Sequence, residues 1–207
     1  MLPLLNVPLF IVVFEVSPGI ITAYPLSIDT LVNSIIPLDI LFSELWNVTF
    51  SKVAVPELFT DLTFEKIENF DGDVIATYDT HEDNYMETRE GKFLPVPHCI
   101  KGTPGHDLYG RLADFEDVVT PNAVIIEKET FGSDRLCAVI EEAFSGEPDV
   151  IEFCGVVTNI CVLSNVVLCQ TYFKNAKIVV HEDATAAIGK QQDYAIEVLK
   201  GLGVEIV

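Results

Sequence analysis

The chain has 207 residues, with 12 Lys or Arg against 32 Asp or Glu, and a formal net charge of -20 at pH 7. That length suits a single domain, 1–207, with a core large enough to fold without staples. A surface so acidic repels phosphate backbones and argues against a nucleic-acid partner. Five cysteines with no C-x-x-C pair argue against a disulfide framework and for a reducing, cytoplasmic compartment.

In chain order, the first signal is "LFIVVF" (9–14), a continuous β-branched run of the kind that forms a strand covered on both faces. The apolar stretch 2–14 is interrupted by Pro3, Asn6 and Pro8 and stopped by Glu15, too short and broken to span a membrane. It also lacks the early positive charge of a secretory signal. Helical patterns follow at 27–36 and 57–70, with Pro37 and Pro56 breaking the material between them. The stretch 38–50 takes no clear assignment. Segment 1–64 is atypical throughout: up to Glu65 the only basic residue is Lys52.

From there the chain alternates. Strand runs "DVIATY" (73–78), "AVIIE" (123–127), "DVIEFC" (149–154), "KIVVH" (177–181) and "VEIV" (204–207) are separated by helix-like "DRLCAVIEEAF" (134–144), "NICVLSNVVLCQTYF" (159–173) and "QDYAIEVLKGLG" (192–203). Strands alternating with helices predict a three-layer, Rossmann-like α/β fold around a mostly parallel six-stranded sheet.

In such sheets ligands bind beyond the carboxyl ends of the strands. The reactive residues that follow each run are Glu15, then Asp79 and His81, then Lys128, then Cys161. Cys161 lies in "GVVTNIC", at the entry to a helix that Thr158 or Asn159 could cap. Unpaired N–H groups and the helix dipole there favour a thiolate and can stabilise an oxyanion. The alternative is a small buried hydrophobe, which suits Cys137, Cys154 and Cys169. Lys128 is either a charged partner for the thiol or a solvated lysine beside Glu127 and Glu129. Asp79, His81 and the later His98 are a donor set suited to zinc or a similar divalent ion. His106 and His181 carry less weight, one in a turn and the other at a strand end.

These segments together resemble the isochorismatase-like cysteine hydrolases, and among them the nicotinamidase-like branch. The likeness runs from about residue 65 to 207. "GVVTNICV" is similar to the family's Gly-x-x-Thr-(Asp/Asn)-x-Cys-Val, "DTH" with "PVPHCIKGTPG" to its metal segment, "EKETFGS" to its lysine segment, and "HEDATAA" to its late strand and loop. The resemblance implies that Cys161 is the nucleophile, with Lys128 beside it. It implies a cis peptide between Val156 and Val157, and an oxyanion hole from the N–H groups of Val157 and Cys161. Asp79, His81 and His98 would hold the divalent metal, Zn2+ with Fe or Mn as alternatives, against the ring nitrogen of a small amide substrate. The implied reaction is hydrolysis of nicotinamide to nicotinate and ammonia through a thioester, in NAD salvage, by a homo-oligomer.

The first strand departs from the family. The family's first strand usually ends in an aspartate, in a pattern like "VVDxQxDF", and that aspartate completes the triad; here Phe14 stands at its place and Glu15 follows. Side chains alternate along a strand, so one residue of offset changes the face. Three readings stand open: Glu15 substitutes through a local backbone change, the chain is a catalytically impaired relative, or segment 1–64 is not the native N-terminal sequence. Other family amidases, acting on N-carbamoyl or ureido compounds, generally lack the Asp-x-His…His set.

Overall fold

The computed structural model describes residues 9–14, 57–108, 110–115, 123–187 and 189–207. Glu15, the helical pattern at 27–36 and the unassigned stretch 38–50 lie outside them. The described residues contain six strands in one sheet: β1 (Leu9–Phe14), β2 (Asp73–Asp79), β3 (Ala123–Lys128), β4 (Val150–Val156), β5 (Lys177–Ala186) and β6 (Glu205–Ile206). Their order is β3-β2-β1-β4-β5-β6, and every pairing is parallel. The chain winds outward from β1 to β3, then returns to β4 and winds outward to β6. The reversal between β1 and β4 is the switch point at which such sheets hold their ligands.

Helices cover both faces, as the alternating runs predict. Residues of even and odd number along a strand point to opposite faces. Ile75, Ile126, Ile151 and Phe153 pack under α3 (Leu136–Phe144), α4 (Leu163–Tyr172) and α5 (Gln191–Gly201). Val74, Ala76, Tyr78 and Cys154 pack on the other side, against Phe64 and Ile67 of α1 (Glu57–Glu68). Each large apolar side chain buried in this way contributes about 1.5–3 kcal/mol. All five cysteines are buried. No helix among the described residues is long and apolar enough to cross a membrane.

Two stretches differ from the sequence reading. β5 runs to Ala186 rather than ending at 181. Its register against β4 passes from Phe153↔Val180 to Gly155↔Thr185, so five steps along β5 answer two along β4. The polar "HED" interrupts the apolar pattern because it occupies this bulge. The stretch after β2, to which the sequence reading gave no helix, contains a helical turn at Tyr85–Glu87 and a short helix, α2 (Arg89–Phe93). Neither is long enough to show a period.

Candidate active site

The strand register assembles the centre of the site. Asp79 and Lys128 are Cα partners at the carboxyl ends of β2 and β3. They stand four and two residues past Ile75 and Ile126, so alternation places both on the α3–α5 face. Both are buried, at 5% and 4% exposure. Lys128 Nζ donates to Asp79 Oδ1 at 2.7 Å and to Cys161 Sγ at 3.6 Å. The solvated alternative for Lys128 is thereby excluded; its neighbour Glu127 pairs instead with Lys101, at 2.5 Å.

Cys161, 2% exposed, lies in a wide helical turn, Thr158–Val162, that joins β4 to α4. Val162 N–H donates to Val157 O at 3.2 Å, five residues back, the spacing of a π-turn. The predicted side-chain cap is absent: no side chain caps this turn, and Thr158 gives its hydroxyl to Gln192 Oε1 at 2.7 Å. A tertiary partner has taken the hydroxyl that a local cap would use. The peptide between Val156 and Val157 is cis, and Gly155 before it has φ 112, a conformation open to glycine and strained for other residues.

The second half of the site surrounds Asp79 Oδ2. His81 Nε2 and His98 Nε2 each lie 3.2 Å from that oxygen. Glu90, at the start of α2, brings Oε1 to 3.4 Å from His81 Nε2. Asp79, His81, Glu90 and His98 are all buried, and their four ligand atoms lie within 4.8 Å of one another. Backbone bonds hold the histidines in place: His81 N–H donates to Cys99 O at 2.9 Å and Lys101 N–H to His81 O at 2.8 Å. Cys99, the residue after His98, has φ 46, a left-handed turn that folds the loop back onto β2.

Tyr85 is wedged behind both imidazoles, with ring centroids 4.5 Å from His81 and 4.9 Å from His98. Its hydroxyl donates to Leu94 O at 2.9 Å. Thr88 caps α2, its Oγ1 accepting from Gly91 N–H at 2.9 Å. Gly91 permits the tight fold, since a Cβ there would stand 2.1 Å from Tyr85 O.

Electrostatics follow from this packing. Burial works against a charge on Asp79, but Lys128 and the two imidazoles outweigh it and hold the carboxyl far below the usual carboxylate range. Burial likewise disfavours a charged His81, yet Asp79 and Glu90 push its pKa up to about 9. His98 Nδ1 donates to Val96 O at 2.8 Å, because a carbonyl can only accept. Its Nε2 is therefore directed at the Asp79 carboxylate, where a proton or a metal ion must lie between them. His81 Nε2 is buried and satisfies no hydrogen bond, although two carboxylates lie within ion-pair distance. Converging lone pairs from two imidazoles and two carboxylates fit a divalent cation, and this donor set suits zinc.

The structure thus brings together Asp79, His81, His98, Lys128 and Cys161, and adds Glu90, which the sequence reading missed. Its signal was faint: Thr88, two residues before it, is a fair helix cap, but a five-residue helix shows no periodicity. Glu15 lies outside the described residues. His106 is half-buried against Thr80 Oγ1, with Nε2 at 2.8 Å. His181 pairs with Glu152 at 2.6 Å. Neither belongs to the four-residue cluster.

Known proteins place this arrangement in context. An Isochorismatase domain matches residues 60–207. An isochorismatase family protein of Bacillus subtilis is 35% identical over 142 residues, spanning 66% of this chain and 74% of its own. The crystal structure of a nicotinamidase/pyrazinamidase from Bacillus subtilis superposes with a TM-score of 0.65 at 21% identity, covering 97% of this chain and 98% of that one. The pyrazinamidase of Pyrococcus horikoshii in complex with zinc gives a TM-score of 0.56 at 20% identity over 97% and 98% of the two chains. At such identities the two structures show a shared fold, whereas the domain match and the 35% relative show descent: the chain belongs to the isochorismatase family.

Proposed function

We propose that the chain is a cysteine hydrolase of small carboxamides, converting nicotinamide to nicotinate and ammonia. One observation carries the reading: Lys128 Nζ bridges Asp79 Oδ1 and Cys161 Sγ, at 2.7 and 3.6 Å. A buried ammonium beside a thiol favours the thiolate, the form that attacks a carbonyl. The Cys161 thiolate adds to the carboxamide carbon, and the N–H groups of Val157 and Cys161 stabilise the oxyanion. The C–N bond then breaks and ammonia leaves with a proton. Water finally cleaves the thioester and releases the acid. Proton transfer is assigned in this reading to Glu15, the carboxylate after the first strand.

Asp79, His81, Glu90 and His98 would hold a divalent ion, zinc being the choice that best suits the donors, and a held ion supplies a Lewis-acid anchor for a ring nitrogen. The likeness to nicotinamidase and zinc-bound pyrazinamidase structures supports the choice of an aromatic carboxamide. The test is release of ammonia and nicotinate from nicotinamide by the zinc-supplemented chain. Cys161→Ala is expected to lower kcat by about 10³-fold or more. Full activity in that variant, or no product from the wild-type chain, would overturn the reading.

A further inference from the structure

The turn that carries Cys161 is not secured by its own side chains. It has no side-chain cap, and its backbone N–H groups share acceptors: Ile160 N–H and Val162 N–H both donate to Val157 O, at 3.1 and 3.2 Å, and Leu163 N–H reaches Thr158 O and Ile160 O. Five-residue turns of this kind are short and uncommon, and they recur at functional sites. Val156 and Val157, at its entry, pack in a small satellite with Ile160, Ala186 and Ala187, while Cys161 and Val162 join the main core. Such packing sets a distance but not the direction of a peptide N–H.

A side-chain restraint with direction comes from elsewhere in the chain. Thr158 is fully buried, and its hydroxyl donates to Gln192 Oε1 at 2.7 Å. Gln192 lies in the first turn of α5, and its Nε2 faces Thr185 O at 3.4 Å and Thr185 Oγ1 at 3.5 Å, near the end of β5. One side-chain amide therefore joins the turn to the bulged end of β5 across the junction of β4 and α4. Thr158 directly follows Val157, so holding it fixes the Val157–Thr158 peptide, which links the residue bearing the Val157 N–H to the turn that enters Cys161.

We propose that Gln192 is a positioning residue that, through Thr158, holds the Val157–Cys161 backbone N–H groups at the angle acyl transfer requires. This rests on the acyl-transfer reading above. Oxyanion stabilisation is sensitive to placement, and a misplacement of about 1 Å costs on the order of 10²-fold in rate. Thiolate reactivity toward an alkyl halide involves no oxyanion and is insensitive to that angle.

Two reactions of Cys161 separate these demands. Iodoacetamide alkylates the thiolate by displacing iodide. p-Nitrophenyl acetate acylates it: the thiolate adds to the ester carbonyl, p-nitrophenolate leaves with the bonding pair, and a thioester remains. Both adducts are assigned to Cys161 by peptide mass spectrometry. Gln192→Ala and Thr158→Val are expected to lower acylation by about tenfold or more while alkylation stays within about twofold, and Thr158→Ser retains the wild-type ratio. An unchanged ratio in both variants overturns the proposal. So does a parallel fall of both rates with the thermal midpoint, which marks a merely structural role, and so does a wild-type chain that is alkylated but never acylated. Nicotinamide turnover is followed separately. A chain that is acylated by the ester but yields no ammonia from nicotinamide refutes the substrate assignment and leaves the role of Gln192 standing.

Discussion

Replacing Lys128 with Met keeps most of the side-chain volume and removes the ammonium. At 3.6 Å from Cys161 Sγ and an effective dielectric near 20, that charge attracts a thiolate by about 4–5 kcal/mol. Water entering the vacated space and relaxation of neighbouring groups return part of this, so a net loss of about 2–3 kcal/mol is expected, equivalent to on the order of 10²-fold in thiolate population. Asp79 also loses its 2.7 Å partner, and removing one member of a buried pair costs about 3–5 kcal/mol. Metal-free Lys128→Met therefore unfolds at a lower temperature, and added zinc restores part of the difference by supplying positive charge to the other oxygen of Asp79. The assay is the pseudo-first-order rate of iodoacetamide labelling at pH 7, read at the Cys161 peptide, with circular dichroism to establish folding. A folded Lys128→Met protein whose Cys161 labels within about threefold of the wild-type rate would refute the assignment of Lys128 as the thiolate's counter-ion.

Gly91→Ala places a Cβ 2.1 Å from Tyr85 O, so the backbone must part there. A loss of about 2 kcal/mol or more in unfolding free energy is expected, with weaker zinc binding by calorimetry because Tyr85 and Glu90 shift together; zinc affinity equal to wild type would mean that neither residue supports the cluster. The His81 pKa is raised from 6.5 to about 9, so in the metal-free chain its ion pairs contribute stability that is fully present below about pH 6.5 and is lost as the pH rises through about 9. Zinc must displace that proton, so its affinity is expected to climb by up to about tenfold per pH unit across the window and to level off above it; a flat profile between pH 6.5 and 9 would contradict the placement of His81 among the ligands.

The sheet could be read from residue patterns because its strands are buried on both faces, and continuous β-branched runs leave little competing interpretation. "LFIVVF" and "AVIIE" became β1 and β3 to within a residue. The end of β5 was hidden because a bulge places polar residues in the middle of a strand, and composition alone cannot distinguish that from a loop. At the site, the rule that ligands lie beyond strand ends pointed to Asp79, Lys128 and Cys161, since a parallel register brings equivalent ends together. Three things depended on side-chain geometry that no spacing encodes. Glu90 reaches the histidines only because Gly91 lets α2 fold onto Tyr85. Thr158 could cap its own helix or bond elsewhere, and the choice depends on Gln192, 34 residues away. Lys128 and its two readings were separated only by burial.

Asp79 makes the two halves of the site one electrostatic unit. Its Oδ1 binds the ammonium that faces the thiol, and its Oδ2 faces both imidazoles. A charge gained or lost on one side of this carboxylate is therefore felt on the other. Because such coupling is reciprocal, a change at Cys161 must alter the hold of Asp79, His81, Glu90 and His98 on a cation by as much as that cation alters Cys161. A parallel sheet can achieve this with a single carboxylate because its register sets Asp79 beside Lys128 on one edge, while the loop after β2 returns both histidines to the carboxylate's other oxygen.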